Sequence, residues 1–250
     1  MEIYLEQMAE ILEYLFCKYK NKFDNPGILL SGGIDSSTIA QLVNNHFNEN
    51  TILSFGTKKT KDRPFVELFC KNTNKNYEWI EIEKNDILEN KNTVIELLKK
   101  ISIDANTMQI SLATGYFLVF KKAQKLGIKT IFTGQGPDIL LGGYSMYKKI
   151  IPSEINAKIE TDLPLLVIDG KRDNAMADYF GIKLINPYLE KEFVNLSLKI
   201  PGEYKINNNI EKYILRKFAE KIGVPKEIVN RPKKAFQYST GIQDLYQSIN

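Results

Sequence analysis

Cysteine and histidine are nearly missing from this chain, and their scarcity removes whole classes of chemistry. Cys17, Cys70 and His46 are the only such residues in 250 positions, and the two thiols form no CxxC pair. Zinc clusters, iron–sulfur sites, Ser-His-Asp triads and sulfur-transferring thiol relays need more of these residues than are present. His46 falls in a polar helix end and reads as a solvated surface residue. Long apolar runs are also missing. No stretch approaches the roughly 18 residues of a membrane span, and the opening MEIYLEQMAE has neither the basic nor the apolar region of a secretion signal. The expectation is a cytoplasmic protein with no membrane partner. Nor is charge of one sign in large excess: 34 basic against 30 acidic residues leave a net +4. The positives fall in short clusters at 58–63, 148–149 and 231–234, whereas a nucleic-acid surface would concentrate them. Nucleic acid is therefore disfavoured as a partner.

What is present suffices for one full α/β core, or a core with a smaller helical lobe, at 43% hydrophobic residues. Residues 3–19 follow a 3.6-residue period and predict an amphipathic helix. Beyond it, strands are predicted at 28–30, 51–55, 77–82 and 129–132, with helices at 36–47, 62–72, 86–100 and 107–126. Asp62 is expected to cap the third helix. Strand–helix repetition of this kind predicts a mostly parallel sheet sandwiched by helices, with ligands at the carboxyl ends of the strands. Past Tyr144 the period weakens. Residues 171–180 and 209–222 look helical, so 145–250 reads as a carboxyl-terminal helical lobe beside the sheet.

The densest information lies in Ile28-Leu-Leu-Ser-Gly-Gly-Ile-Asp-Ser-Ser37. An apolar strand runs into a glycine turn and then a helix start, which aims unpaired backbone N–H groups at one spot. Ser31, Ser36 and Ser37 add side-chain donors, while Gly32 and Gly33 allow close approach of an anion. An ordinary strand-to-helix turn needs one glycine and one cap. Those needs leave Asp35 unexplained, because a bare carboxylate would repel phosphate. Holding Mg²⁺ against phosphoryl oxygens would explain it. No lysine stands where a Walker A loop has one, and the GxGxxG pattern is absent. The segment SGGIDSS resembles the pyrophosphate loop of the ATP pyrophosphatases, the family that includes asparagine synthetase, GMP synthetase, NAD synthetase and argininosuccinate synthetase. That resemblance implies ATP and Mg²⁺ as cofactors, cleavage of ATP between its α and β phosphates, and the adenine nucleotide alpha hydrolase-like (HUP-like) variant of the α/β fold. Leu30 and Phe55, at the ends of the first two strands, join Ser31, Gly32, Gly33, Asp35, Ser36 and Ser37 in the expected nucleotide set.

A second glycine loop, Ile131-Phe-Thr-Gly-Gln-Gly-Pro-Asp-Ile-Leu-Leu-Gly-Gly-Tyr144, repeats the strand-to-loop pattern. Gly134 and Gly136 fit a close backbone approach, and Asp138 is the only carboxylate in the loop. If the two loops lie side by side, Asp35 and Asp138 share a metal. The loop is similar to the Ser-Gly-Glu-Gly-x-Asp-Glu-Leu-Phe-Gly-Gly-Tyr signature of the asparagine synthetase synthetase domain. Gln135 replaces the Glu associated with amide formation, and a Gln hydrogen-bonds but accepts no proton. Ile139 replaces a second acid.

Four further segments carry the resemblance through to about residue 240. Gly181-Ile-Lys-Leu-Ile-Asn-Pro-Tyr-Leu-Glu190 is similar to Gly-Val-Glu-Val-Arg-Val-Pro-Phe-Leu-Asp, with Lys183 and Ile185 departing in charge. Upstream of it, Arg172-Asp173-Asn174 resembles the start of the preceding helix. Lys212-Tyr-Ile-Leu-Arg216 resembles a Lys-x-x-Leu-Arg helix, and Arg231-Pro-Lys-Lys-Ala-Phe236 an Arg-x-Lys-x-x-Phe segment. Independently of the family, Pro232 between Arg231 and Lys233 makes a rigid basic clip suited to leaving pyrophosphate. A solvated basic turn is the alternative, and Lys234 can substitute for Lys233 in another register.

The resemblance implies three parts: a helix at 1–20, an ATP pyrophosphatase core at 21–144, and a lobe at 145–250 that completes the active site. It implies an AMP-forming amidoligase acting on a small carboxylic acid and ammonia or an amine, with Lys233, Gln135 and Arg231 as the catalytic set. Only one short helix precedes the first loop, so nitrogen is expected from free ammonia, a substrate amine, or a partner such as a separate glutaminase. A homo-oligomer stays open. Two other readings also stay open: a non-catalytic or partner-dependent nucleotide-binding subunit, and ATP-dependent modification of an RNA base.

Overall fold

The computed structural model describes residues 1–233 and 236–249. The chain opens with helix α1 (Glu2–Lys20), strand β1 (Gly27–Leu29), α2 (Ile34–His46), β2 (Thr51–Gly56), α3 (Arg63–Thr73) and β3 (Tyr77–Glu81). Helices α4 (Lys84–Lys100) and α5 (Thr107–Lys125) lead to β4 (Thr130–Phe132), the short α6 (Pro137–Leu140), α7 (Ile155–Asp178) and β5 (Lys183–Ile185). Six helices complete the described chain: α8 (Lys191–Lys199), α9 (Gly202–Lys205), α10 (Tyr213–Lys221), α11 (Lys226–Val229), α12 (Phe236–Ser239) and α13 (Ile242–Gln247).

The five strands form one sheet in the order β3-β2-β1-β4-β5, and every neighbouring pair is parallel. The expected parallel α/β sheet is therefore present. Successive strand residues face opposite sides, and each side has its own core. Ile28, Ile52 and Phe132 pack under α1, α2, α8 and α10, while Leu29, Leu53 and Ile131 pack under α4, α5 and α13. Phe132 is fully buried, with the rings of Phe16, Tyr19 and Phe47 centred 5.4–5.7 Å away. Aromatic pairs of this kind each add about 0.5–1.5 kcal/mol beyond their burial.

Three expectations need correction. The region after residue 145 is not wholly helical, because β5 pairs with β4 and completes the sheet edge. Helix α7 begins at Ile155, well before residue 171, and Pro164 lies inside it; Pro164 and Gly170 hid its first half from a propensity reading. Arg172-Asp173 therefore falls near its end, not at a helix start. Finally, His46 is not solvated. Its Nε2 lies 3.0 Å from Glu13 Oε1, its Nδ1 lies 2.8 Å from the Leu42 carbonyl, and its ring centre is 5.3 Å from that of Phe16. The exposed Cys17 thiol joins Glu13 at 3.5 Å, so the fold gathers a small Glu-Cys-His group that sequence spacing did not display.

Chain order reverses between β1 and β4: β2 and β3 extend one way from β1, and β4 and β5 the other. The crevice outside the strand ends at such a reversal is where open α/β sheets bind ligands. Both glycine loops open there.

Candidate active site

Ser31–Gly33 connects β1 to α2, and residues 133–136 connect β4 to α6. The two connections touch. A Cβ on Gly134 would lie 2.6 Å from the Ser36 nitrogen, so only glycine allows the second loop to rest on the first turn of α2. Gly33 precedes that helix in an extended conformation, φ −84 and ψ 161, with no side-chain cap. The first-turn N–H groups consequently face the crevice. The turn is braced by its own hydroxyls: Ser31 Oγ lies 2.9 Å from Ser36 Oγ, and the Ser31 N–H donates to Ser36 Oγ at 3.1 Å.

The crevice is a cavity of about 480 Å³. Of the residues expected for ATP and chemistry, Ser31, Gly33, Asp35, Ser36, Gly134, Gln135, Gly136, Asp138, Arg231 and Lys233 line it. Four others lie elsewhere. Leu30 is buried in the α1-side core, Gly32 backs onto Phe65, and Ser37 is fully buried in α2. Phe55 points to the opposite core because it shares strand parity with Leu53, and it packs its ring near Tyr116. Among these, Phe55 is the plain displacement from the expected nucleotide set: strand alternation puts it on the α5 side, beneath the cavity wall. Lys234 lies outside the described residues. Lys183 is exposed on β5, its ammonium above the Phe23 ring, and Ile185 is buried in the core. Neither of these two departures from the family pattern reaches the cavity.

Asp35 and Asp138 are brought together by a residue that the motif reading left without a role. Lys212 Nζ lies 2.5 Å from Asp35 Oδ2 and 2.6 Å from Asp138 Oδ1, with its side chain only 1% exposed. Lys233 pairs with the other oxygen of Asp138. Lys212 reaches this position from a left-handed backbone, φ 55 and ψ 34, at the start of α10, a conformation costing about 1 kcal/mol for a non-glycine residue. The neighbouring Gly143 makes room: a Cβ there would sit 2.1 Å from Lys212 Cε and 2.5 Å from Asp138 Oδ1.

The charges respond to this packing. Burial opposes ionisation of Asp138, but Lys212 and Lys233 outweigh it and hold the carboxyl down at about 2. Asp35 directly touches Lys212 alone, so burial dominates and its carboxyl is raised, with Lys212 opposing. Burial also works against the Lys212 ammonium, yet Asp138 and Asp35 keep it above the usual lysine range. One oxygen of Asp35, Oδ1, is buried and has no hydrogen-bond partner among the described residues. A buried carboxylate oxygen lacking a donor, beside a second carboxylate, is a donor set that suits a hard divalent cation such as Mg²⁺.

The basic clip is built differently from what its sequence suggested. Arg231 Nη2 lies 2.5 Å from Asp62 Oδ1, its guanidinium carbon sits 4.0 Å above the Phe65 ring centre, and Nη1 donates to the Ser31 carbonyl at 3.3 Å. Asp62 thus takes Arg231 instead of capping α3 with its side chain. Arg231 straps the clip to the first glycine loop, and Lys233 extends from it toward Asp138. Behind them, Arg216 donates from Nη1 to the carbonyls of Val229 and Arg231, and Glu211 accepts the Lys233 N–H at 3.2 Å. The Lys-x-x-Leu-Arg spacing now has a physical reason. Residues 212 and 216 lie one helical turn apart, so the first reaches the carboxylates while the second holds the clip.

The far wall comes from α5 and α7. Gln109, Leu112 and Tyr116 of α5 and Leu165, Ile168, Asp169, Arg172 and Asp173 of α7 line it together. Arg172 is almost wholly buried and bonds Asp173, Asp169 and Gln109. Burial pushes the Asp173 carboxyl up to about 6 even with Arg172 against it. The α5 contribution left no sequence signal, because its residues look like ordinary helix.

With this geometry in view, similarity to known proteins becomes interpretable. The asparagine synthase family profile matches residues 22–161 and 163–249. The chain belongs to the asparagine synthase family. A putative glutamine-hydrolysing asparagine synthetase of Methanocaldococcus jannaschii is 27% identical over 286 residues, covering 96% of this chain and 51% of that protein. The glutamine-hydrolysing asparagine synthetase of Cricetulus griseus is 32% identical over 234 residues, covering 89% of this chain and 40% of its own length. The chain thus spans about half or less of these relatives. Among solved structures, the NMN synthetase of Francisella tularensis aligns with 98% of this chain and 86% of its own at 12% identity, with a TM-score of 0.47. Membership of the family makes this chain a relative of ATP-dependent adenylating ligases. No helix among the described residues is long and apolar enough to cross a membrane.

Proposed function

We propose that this protein is an ATP-dependent, AMP-forming amidoligase that activates a small carboxylic acid and transfers ammonia or another amine to it. The observation that carries the reading is the meeting of Asp35, Asp138, Lys212 and Lys233 at the β1–β4 reversal, directly beside the open first turn of α2. Alternating carboxylates and ammonium groups around an oxyanion cradle suit a polyphosphate.

In this mechanism the loop N–H groups, with Ser31 and Ser36, bind and orient the phosphates. Asp35 and Asp138 would hold Mg²⁺, which when bound offsets triphosphate charge. A carboxylate oxygen of the acid forms a bond to the α-phosphorus as the bond to the bridging α–β oxygen breaks, and pyrophosphate leaves with those electrons. Lys233 and Lys212 face the developing negative charge, a kind of electrostatic assistance whose removal costs about 10²–10³ in rate. Arg231 acts as a positioning residue, since its guanidinium is committed to Asp62 and Ser31. The amine then bonds to the acyl carbon and AMP departs. Gln135, on the cavity wall, is able to hydrogen-bond the amine or the acyl oxygen, while the proton released must pass to another base or to water.

The test is release of AMP and pyrophosphate from Mg²⁺-ATP with a pool of small carboxylic acids and ammonium. AMP that depends on both the pool and Lys233 supports the ligase. ATP binding without AMP, whatever the acid or amine, would leave a nucleotide-binding subunit instead.

A further inference from the structure

The wall opposite the phosphate loops carries an arginine, the residue a second substrate carboxylate would be expected to seek, but that arginine is already spent on neighbours. Arg172 Nε donates to Asp173 Oδ1 at 2.8 Å and Nη2 lies 2.7 Å from the same oxygen. Nη1 donates to Asp169 Oδ1 at 2.8 Å and to Gln109 Oε1 at 3.1 Å. All three guanidinium nitrogens are engaged, and the Arg172 side chain is only 4% exposed. Two carboxylates against one guanidinium leave this wall with an excess negative charge when both are ionised. The Tyr116 hydroxyl is turned to Asp173 as a further partner, so the more open group is Asp169, whose side chain is 31% exposed. Its cation among the described residues, Arg172, is shared with Asp173, and apolar side chains stand around it: Leu165, Ile168 and Met108 line the cavity here and are 41–46% exposed.

A dicarboxylate placed at this wall would meet Asp169 and Asp173 and find no free guanidinium, so like-charge repulsion would exclude it. A cationic nitrogen would gain Asp169, and an apolar stem would cover the exposed side chains. We infer that this end of the cavity receives the non-reacting end of the acid substrate, and that this end is a cationic nitrogen on an apolar stem, not a second carboxylate. The charge assignment comes from the Arg172 cluster itself; the statement that the bound molecule is the acid to be activated rests on the ligase reading above.

Three five-carbon probes separate the terms: ω-aminopentanoate, pentanoate and glutarate. Their binding to the full chain is measured by calorimetry with a non-hydrolysable ATP analogue present, and AMP release with ATP is followed in parallel. The expected order is ω-aminopentanoate, then pentanoate, then glutarate, with the first at least about tenfold tighter than the last. Asp169→Asn shrinks that ratio at least about fivefold. Asp173→Asn, by releasing Arg172, raises the affinity for glutarate. Equal or tighter binding of glutarate, a ratio unchanged in both variants, or failure of all three probes to bind overturns the inference. A preference for the cation without AMP from any acid would sink the ligase reading and leave the subsite standing. AMP formed fastest from glutarate would do the reverse.

Discussion

The two ends of the cavity handle charge in opposite ways. At the phosphate end, Lys212 is shared between Asp35 and Asp138, Lys233 pairs with Asp138, and Asp35 Oδ1 has no partner among the described residues. This set is complete only when a ligand or ion joins it. At the far end, Arg172 is saturated by Asp173, Asp169 and Gln109 within α5 and α7. That cluster is satisfied by itself and meets a ligand with its surplus. On the proposed function, the first end carries charge that arrives and departs, and the second recognises charge that stays. On the same reading the difference also sorts the residues by expected consequence: phosphate-end changes lower the rate, and stability with it where the side chain is buried like Lys212, while far-end changes alter which acid is accepted.

The largest effect is expected from Lys212→Met. It removes a buried cation from between two part-buried carboxylates, of which only Asp138 keeps a lysine partner, so unfolding by denaturant should show a loss of up to about 3 kcal/mol, accompanied by loss of AMP release. A Lys212→Met protein of undiminished stability would break the comparison. Next comes Lys233→Ala, whose side chain is 24% exposed. Pyrophosphate release should fall about 10²–10³-fold with stability changed little. Gly143→Ala tests the same end through shape: its Cβ would fall 2.1 Å from Lys212 Cε, and kcat should drop about tenfold or more as the lysine is displaced. At the far end, Asp173→Asn should change KM for the acid while leaving KM for ATP within about twofold, measured by ATP–pyrophosphate exchange. Movement of both constants would mean that the ends are not separable.

A smaller effect, away from both ends, comes from Lys205. It is fully buried, its ammonium donates to Asn156 Oδ1 at 2.7 Å, and burial lowers its pKa from 10.5 to about 7. Because the folded value lies below the unfolded one, the unfolded chain binds more protons between these limits, and Lys205 makes stability rise with pH from about 7 to 10.5. Lys205→Met should stabilise at pH 7 by on the order of 1 kcal/mol and remove that rise. Chemical denaturation across the alkaline range reads both.

Much of the fold was legible because its signals are local. The apolar strand at 28–30, the glycine turns after two strands, and the 3.6-residue period of α1 each lie within a few positions of chain. That the two glycine loops would lie side by side stood in the sequence only as a condition, which the pairing of β1 with β4 meets. The rest was hidden for identifiable causes. Pro164 and Gly170 disguised α7, and β5 is three residues long, too short to show a period. Arg231 looked like a free cation because its partner Asp62 is far away in the chain, and Phe55 looked like a nucleotide contact because it ends a strand, whereas strand parity puts it in the α5-side core.

The sequence by itself determined the glycine–serine turn after β1 and the place of Asp35 and Asp138 in strand-end loops, since a turn of glycine, serine and aspartate aims its groups through its own backbone. It determined too that such a turn stands at the end of a parallel strand. Only the tertiary structure decided that Lys212 would lie between Asp35 and Asp138, and that Arg172 would be neutralised before any ligand arrives. Those outcomes depend on Coulombic contacts between residues separated by many turns of chain, and such contacts exist only after β1 and β4 are side by side and α5 and α7 have packed across the crevice.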